Sequence, residues 1–489
     1  MLESIPSATS SLPASTRSRW IALAVLCLGV VMIVLDTTIV NVALPSIRDS
    51  LGFSEASLVW VINAYMLTFG GFLLLSGRLG DLHGHRKIFL GGLALFTLAS
   101  LTCGLATSST LLVVARAVQG IGGSAVSSIS LSLVMNLFPK PDERAKAMGV
   151  YSFVCAGGGS VGVLLGGFLT QNLDWHWVFL VNIPVGIAVF VLTLLLVPRG
   201  EPAAGNRHLD LAGAATITGA LMLGVFGIVG GNEHGWFSLR TLGVLGVSAL
   251  LLTSFFVIES RVAAPLLPLR LFRFRNLTTS NTLGVLWAAG MFAWFFLSAL
   301  YLQQVLGCSS MEVGLAFLPS NLIMAACSLG LSARLVMRFG IRIPLAAGLG
   351  LAGCGLLLFA RAPVDGHVLV DVVPAMLLLG LGAGVAMNPL LLAAMGDVEP
   401  DEAGLASGVV NTSFMMGGAL GLAVLASLAA YRTGILEQAG LSHKAALLGG
   451  YHAAFLGGAL FAWIAAIAGA TLMREPSPNS GSADSPRLH

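Results

Sequence analysis

A single carboxylate, Asp36, lies in the first long apolar run, which extends from Trp20 to Leu44. An acid at the centre of a membrane helix costs about 2.5–3.5 kcal/mol, so such residues face protein or a water-filled path and serve function. A later apolar run carries the opposite charge, Arg116, in a segment that continues to Gln119. With a rise of about 1.5 Å per residue and opposite helix directions, Asp36 and Arg116 lie at nearly the same depth. We predict that they pair, directly or through water. The alternative is a buried ion pair that only fixes the helices, although such pairs contribute little stability.

The composition requires a membrane around these charges. Hydrophobic residues make up 56% of the 489 positions and charged residues 10%, against about 25% charged in a soluble domain. The apolar runs are long enough to cross a bilayer and lack the alternation of strands, which predicts an all-α polytopic membrane protein. The net charge of +3 argues against nucleic acid as a partner. The six cysteines are scattered singly, so we expect small core residues and no metal site.

Fourteen apolar runs are predicted to span the membrane. Most Lys and Arg residues fall on one set of alternating loops, which places both termini in the cytoplasm of a cell-membrane protein. We number these runs as spans 1 to 14; they begin near Trp20, Ser57, Ile88, Thr110, Met148, His176, Leu211, Arg240, Ser280, Glu312, Pro344, Val370, Ala403 and His452.

The order of loops suggests an internal duplication with an insert. Long connections follow spans 6 and 8, and the basic loop after span 2 is mirrored by 333–342 after span 10. Two six-helix halves with a site between them are a common design of secondary carriers. The predicted division is a disordered cytoplasmic tail (1–19), an N-terminal six-helix bundle (20–197), a linker with spans 7 and 8 (198–279), a C-terminal six-helix bundle (280–473) and a second disordered cytoplasmic tail (474–489).

The loop after span 2 contains Gly77, Asp81, Gly84, Arg86 and Lys87 within the sequence GRLGDLHGHRK. Glycines let two helix ends approach, and basic residues suit the anionic inner surface of a membrane. An ordinary positive loop would explain the basic pair but would not require the acid between glycines. This segment resembles the loop between helices 2 and 3 of the major facilitator superfamily, which implies a conformational role for these five residues.

Span 5 repeats glycine on one face, which permits close helix packing. Its glycines are Gly149, Gly158, Gly162, Gly166 and Gly167. They resemble the antiporter motif of the drug exporters in that superfamily, although Val163 stands where the motif usually has Pro, which would add a kink. Together with LDTTIVNVALP (35–45) and WHWVFLVNIPVG (175–186), the motifs resemble the fourteen-helix drug:proton antiporter branch of EmrB/QacA type. This chain departs from the branch's basic residues at Leu82, His85 and His176. The resemblance implies a major facilitator fold of two six-helix bundles plus two extra helices.

The second half matches the family only weakly, so its binding residues are predicted from side-chain type. Aromatic, Met and amide side chains suit a tolerant pocket for flat lipophilic molecules, and ordinary helix packing is the commoner explanation for them. The pocket candidates are Asn41, Trp294, Asn388, Asn411 and Phe414. The acidic stretch Asp397, Glu399, Asp401 and Glu402 reads as a solvated loop without a catalytic role.

Other functional classes lack their motifs. The sequence contains no Gly-x4-Gly-Lys-Ser/Thr loop for ATP and no HExxH or GxSxG motif of an enzyme. With the resemblance, we therefore expect a transporter in which Asp36, Arg116 and Gln119 couple proton and substrate. It would use the proton motive force, with no cofactor and no ATP, to export lipophilic, cationic compounds; the sequence leaves any protein partner open. The alternative is a proton-coupled importer of a small polar solute on the same fold. Dye accumulation in cells with and without the protein separates the two.

Overall fold

The computed structural model describes residues 16–138, 140–197, 210–262, 265–396, 398 and 403–474. Over these residues the chain forms sixteen α-helices, with short 3₁₀ and π-helical turns and no β-strand. The helices are α1 (Thr16–Leu51), α2 (Trp60–His83), α3 (His85–Gly104), α4 (Ser109–Leu137), α5 (Pro141–Asn172), α6 (Trp177–Leu180), α7 (Asn182–Leu196), α8 (Leu211–His234), α9 (Leu239–Glu259), α10 (Arg275–Leu300), α11 (Ser310–Ala326), α12 (Ser332–Phe339), α13 (Arg342–Phe359), α14 (Val373–Met395), α15 (Ala403–Gln438) and α16 (His443–Leu472).

Every predicted apolar run falls on a helix. Two runs are broken: one falls on α6 and α7, and the other on α11 and the π-helical turn that follows it. Most of the predicted loop 333–342 is also helical, because it forms α12. Within the described residues, twelve helical stretches are long and apolar enough to cross a membrane, and Ser310–Ala326 is shorter. The chain is therefore an all-helical membrane protein.

Helix ends extend beyond the apolar runs in two places. The first helix already begins at Thr16, inside the predicted 1–19 tail, and α10 begins at Arg275, before the predicted boundary at 280. Hydropathy marks where a helix meets the bilayer, whereas the helix itself continues through polar residues at the surface. The connection 198–209 and the acidic residues Asp397, Glu399, Asp401 and Glu402 lie outside the described residues.

The helices pack as two groups with a hairpin between them. In the first group α4 packs on α2 and α3, and α1 packs on α5 and α7; in the second, α13 packs on α14 and α16, and α10 on α15. The groups meet where α2 contacts α15 and where α5 contacts α11. The hairpin of α8 and α9 lies beside this contact, because α8 touches both α2 and α15.

The two basic loops share a geometry that supports an internal duplication. Gly84 separates α2 from α3 at φ 94°, and Gly340 separates α12 from α13 at φ 73°. This left-handed region favours glycine. The first turn of each following helix carries an arginine that donates to a carbonyl near the end of the last helix of its own half: Arg86 to Leu194 and Arg342 to Ala470. A cation is favourable at a helix C-terminus, so each contact fastens the third helix of a half to the sixth.

Candidate functional site

The carboxylate of Asp36 is held by three side chains from other helices. Its Oδ2 accepts a hydrogen bond from Arg116 Nη1 at 2.6 Å. Its Oδ1 accepts from Gln119 Nε2 at 2.8 Å and from Asn182 Nδ2 at 3.0 Å. Asp36 is 0% and Arg116 1% exposed. The predicted pairing of these two charges is confirmed, and the carboxylate is sealed within the first helix group.

Arg116 is enclosed by backbone and aromatic partners as well. Its Nε donates to the carbonyl oxygen of Val61 at 2.9 Å, and its Nη1 also donates to Gln119 Oε1 at 2.7 Å. The guanidinium carbon lies 4.4 Å from the ring centroid of Tyr65 and 5.6 Å from that of Phe179. A cation over two aromatic faces is attracted by the electron-rich ring surfaces. These contacts keep the guanidinium in place for its direct hydrogen bond to Asp36.

Two further members of the network, Asn182 and Ser100, were not among the predicted site residues. Asn182 begins α7 and donates to Ser100 Oγ at 3.0 Å as well as to Asp36. Ser100 also receives Gln119 Nε2 at 3.2 Å and donates to the carbonyl of Phe179 at 2.9 Å. Asn182 stands within the WHWVFLVNIPVG motif, which could have identified it. Ser100 has no distinguishing sequence signal.

Glycines on α4 allow the helices that form this network to come close. A Cβ on Gly122 would stand 2.5 Å from the backbone nitrogen of Phe96 and 2.7 Å from the carbonyl of Gly92, both on α3. On the other face, Gly120 lies directly against the backbone of Tyr65 on α2. Since larger residues would force these helices apart, the glycines that follow Arg116 set its distance from α2 and α3.

The glycine face of α5 lies against α1, the helix that carries Asp36. A Cβ on Gly162 would stand 3.2 Å from the carbonyl of Leu35 and would collide with Thr38, and one on Gly166 would stand 2.7 Å from the carbonyl of Ile39. A Cβ on Gly158 would lie 3.0 Å from Val34. The remaining two glycines differ: Gly167 lies against Ser310 on α11, whereas Gly149 has nothing within 4 Å.

Val163 occupies the contact between the two helix groups. Its side chain is buried, and a Cβ on Gly314 of α11 would stand 3.0 Å from its carbonyl oxygen. The helix is continuous from Pro141 to Asn172. Residue 163 therefore lies in the packing contact between α5 and α11, and this contact forms with valine in place of the proline of the motif.

The predicted motif loop lies at the end of α2, far along that helix from the Asp36 network. Asp81 Oδ1 lies 3.2 Å from His85 Nε2, and both groups remain accessible to solvent. A Cβ on Gly77 would meet nothing within 4 Å, and Lys87 is exposed. The structure thus brings Asp81, Gly84 and Arg86 together around the turn, and leaves Gly77 and Lys87 at the surface.

Two of the predicted pocket residues, Trp294 and Asn388, make contacts within the second helix group. Trp294 is wholly buried and packs on Phe295 and Phe317. Asn388 donates to the carbonyl of Ser328, in the π-helical turn between α11 and α12, at 2.6 Å. Such a turn leaves a helical carbonyl without its usual partner, so Asn388 supports the local backbone.

The other three candidates have different surroundings. Asn41 is buried and donates to the carbonyl of Thr37 in its own helix, whereas Asn411 is exposed. Phe414 packs edge-on against Phe292 with centroids 6.0 Å apart. Their role in binding stays a prediction.

A polar cavity of about 360 Å³ lies at the end of the bundle where α1 ends, which is the predicted outer side. It is lined by both groups, with Arg48 and Asp49 from α1 and Gln303 and Gln304 from the π-helical turn after α10. Next to it, Gln303 Nε2 donates to the carbonyl of Val42 at 2.9 Å. This bond closes the two groups against each other at that end.

The network would respond to a change of charge at Asp36. An ionised Asp36 balances Arg116 and accepts from all three donors. A protonated carboxyl would leave the guanidinium charge uncompensated and could no longer accept equally at both oxygens, so the contacts among α1, α4 and α7 would rearrange. An uncompensated buried charge costs several kcal/mol, which is enough to shift a conformational equilibrium.

Comparison with known proteins places this chain in a family. The profile of the Major Facilitator Superfamily matches residues 26–422. The chain is 39% identical to the cephamycin export protein CmcT of Amycolatopsis lactamdurans over 450 residues, covering 91% of each chain. It is 38% identical to the puromycin resistance protein pur8 of Streptomyces alboniger, covering 92% of this chain and 90% of that one. Among solved structures, a bacterial homologue of the human lysosomal transporter Spinster aligns with a TM-score of 0.69 at 17% identity, over 93% of this chain and 97% of that chain.

Proposed function

The chain belongs to the major facilitator superfamily, and from that premise we propose that it exports small antibiotic-like molecules from the cell in exchange for protons. Homology supports the export of drugs, because its relatives include antibiotic export and resistance transporters. The observation that supports the proton is the Asp36 network, a sealed carboxylate balanced by one arginine.

The proposed membrane arrangement has fourteen spans, as in the EmrB/QacA branch, with both termini in the cytoplasm of the cell membrane. The twelve long apolar helices support it. The remaining two spans would be α5, whose side chains are described only in part, and α11 continued through its π-helical turn into α12. Transport would then proceed by alternating access of the two groups, driven by the proton gradient without ATP.

We propose lipophilic cations as the preferred substrates, since Asp36 is a carboxylate deep within a span. In this conformation three donors cover that carboxylate. Proton and substrate would therefore exchange at Asp36 only after Arg116 or Asn182 withdraws. A proton-coupled importer would use the same network, but the export proteins among the relatives favour efflux.

The test is Asp36→Asn in proteoliposomes with an imposed proton gradient and a fluorescent lipophilic cation. An amide cannot carry a proton, so uphill efflux should disappear at every pH while gradient-independent equilibration persists. Asp174→Asn, which alters an exposed acid, serves as the control. Uphill efflux by Asp36→Asn at the wild-type rate would move the proton site elsewhere, and uphill accumulation in the opposite direction by the wild type would establish import.

A further inference from the structure

Two carboxyl groups meet at the predicted inner ends of the α8–α9 hairpin, outside the site described above. Asp210 caps the start of α8, where its Oδ1 accepts the backbone N–H of Gly213 at 2.6 Å. Glu259 is the last residue of α9, and its Oε2 accepts the backbone N–H of Leu267 at 3.0 Å. Each carboxyl therefore uses one oxygen to hold the backbone.

The other oxygen of each carboxyl points to a common place. Asp210 Oδ2 and Glu259 Oε1 lie 2.5 and 2.7 Å from the point that a Cβ on Gly213 would occupy. Asp210 is 5% and Glu259 3% exposed, and neither of these two oxygens has a hydrogen-bond partner within the described part of the chain. Two buried acceptor oxygens thus converge above Gly213, and the described part of the chain supplies no donor to either of them.

Buried acceptors of this kind are stable only if something positive lies between them. Two ionised carboxylates that share a dry site repel each other strongly, so such pairs hold a proton. The charged and titratable groups at this end of the elements packed here are Arg78, Asp81 and His83 of α2 and Arg261, Arg270 and Arg273 of the connection after α9, and none of them is hydrogen-bonded to either orphaned oxygen. Asp81 contacts His85, and Arg261 is exposed. Arg78 has interactions of its own.

We propose that Asp210 and Glu259 hold one proton between Asp210 Oδ2 and Glu259 Oε1, forming a second proton-binding site. The proton joins the start of α8 to the end of α9 through an O–H···O bond. Through Glu259 Oε2, the same pair fastens the connection at Leu267 to the hairpin. Loss of the proton would place two negative charges side by side and break the O–H···O bond that joins the two helix ends.

The position of the pair links it to the contact between the helix groups. The α8 helix touches both α2 and α15, and Thr218 of α8 lies directly against Gly71 of α2. Leu266, next to Leu267, is buried with Leu75 of α2 and Ala214 of α8. A change in the pair is therefore transmitted to α2, which carries the motif loop at its end.

The test uses the full-length purified protein and its melting temperature across a pH series. The shared proton raises stability while it is bound, so the wild-type melting temperature should fall as the pH rises and the proton leaves. In Glu259→Gln the amide donates permanently toward Asp210 Oδ2, so the fall should be reduced or absent. Asp365→Asn, at an exposed acid, should follow the wild type. Equal pH dependence of Glu259→Gln and the wild type would overturn the proposal.

Infrared spectroscopy supplies an independent measurement if a variant is unstable. The carbonyl stretch of a protonated carboxylic acid should be present in the wild type and in Asp365→Asn, and should lose intensity in both Asp210→Asn and Glu259→Gln. Unchanged intensity in both variants would contradict a shared proton. Sodium or magnesium that raises the melting temperature of the wild type at high pH, but not that of Glu259→Gln, would assign the site to a cation and also overturn the proposal.

Discussion

At the scale of single residues, the central feature is the number of donors directed at Asp36. Its two oxygens receive Arg116, Gln119 and Asn182, and all four side chains are buried. A buried polar group that loses its partner pays the full desolvation cost, about 1–3 kcal/mol. Each donor therefore contributes to the stability of the network as well as to the orientation of the carboxylate.

Replacing Asn182 with alanine should lower the stability of the network and loosen the orientation of the Asp36 carboxylate. Asp36 Oδ1 would keep only Gln119, and Ser100 would lose one of its donors, so we expect about 1–3 kcal/mol of destabilisation and slower uphill efflux. Thermal unfolding and proteoliposome efflux measure the two effects. Asn172→Ala is the control, because Asn172 is exposed and donates to the carbonyl of Phe168 in its own helix. Equal losses in both variants would show that Asn182 is an ordinary helix residue.

At the scale of secondary-structure elements, α5 works as a thin helix between two neighbours. Its glycines bring it against α1 on one side and α11 on the other. The helix that carries Asp36, α1, therefore packs on α5, and α5 in turn contacts α11 of the second half. A rearrangement around Asp36 can reach that second half through backbone contact alone.

Two glycines of α5 provide a matched pair for testing this packing. Gly162→Leu introduces a side chain where a Cβ already collides with Thr38, so it should separate α5 from α1 and abolish efflux. Gly149→Leu, where nothing lies within 4 Å, should leave most of the activity. Efflux per correctly inserted protein is the measurement. Comparable activity in the two variants would refute the packing role of the glycine face.

At the motif loop, a conformational role of Asp81 can be tested separately from a stabilising one. Asp81 and His85 are partly exposed, and such pairs contribute only about 0.2–1 kcal/mol. Asp81→Asn should therefore leave the melting temperature nearly unchanged while lowering the efflux rate, because a charge is lost at a predicted moving contact. Asp174→Asn removes an acid from a similar exposed Asp–His pair and should affect neither measurement. Normal efflux by Asp81→Asn at normal expression would contradict the role given to the loop.

At the scale of the whole molecule, the described contacts close the two helix groups at the predicted outer side. Met311 donates its backbone N–H to Gln171 Oε1 at 3.2 Å, and Gln303 donates to Val42. Alternating access requires these contacts to open during each cycle. The hairpin of α8 and α9 is not expected to open in this way, because its two helices contact each other along their length. Only 11% of the most apolar part of α9 is buried.

Cross-linking distinguishes the contacts that open from those that stay closed. In a variant without native cysteines, the pair Gln171→Cys and Met311→Cys should form a disulfide that stops efflux, and a reductant should restore it. The pair Ala220→Cys and Ser248→Cys, at the hydrogen bond between α8 and α9, should leave efflux intact when oxidised. Undiminished efflux with the first pair fully cross-linked would exclude opening at this end.

The sequence alone determined the class of protein, the positions of its helices and the depth of its key charges. Hydropathy and helical rise are properties of the chain in one dimension, so the common depth of Asp36 and Arg116 could be predicted before their contact was seen. The glycines of α5 were also recognised, since their spacing defines one face of a helix. The loops after spans 2 and 10 were matched by sequence, and both turn at a glycine with positive φ.

Only the tertiary structure decided which side chains meet at a given depth. Contact depends on the rotation of each helix about its axis and on which helices are neighbours, and neither follows from hydropathy. Asn182 and Ser100 joined the Asp36 network for this reason, while Trp294 and Asn388 proved to be engaged in packing and in backbone support. The convergence of Asp210 and Glu259 on one point above Gly213 likewise exists only because α8 folds back on α9, bringing together two helix ends that lie far apart in the chain.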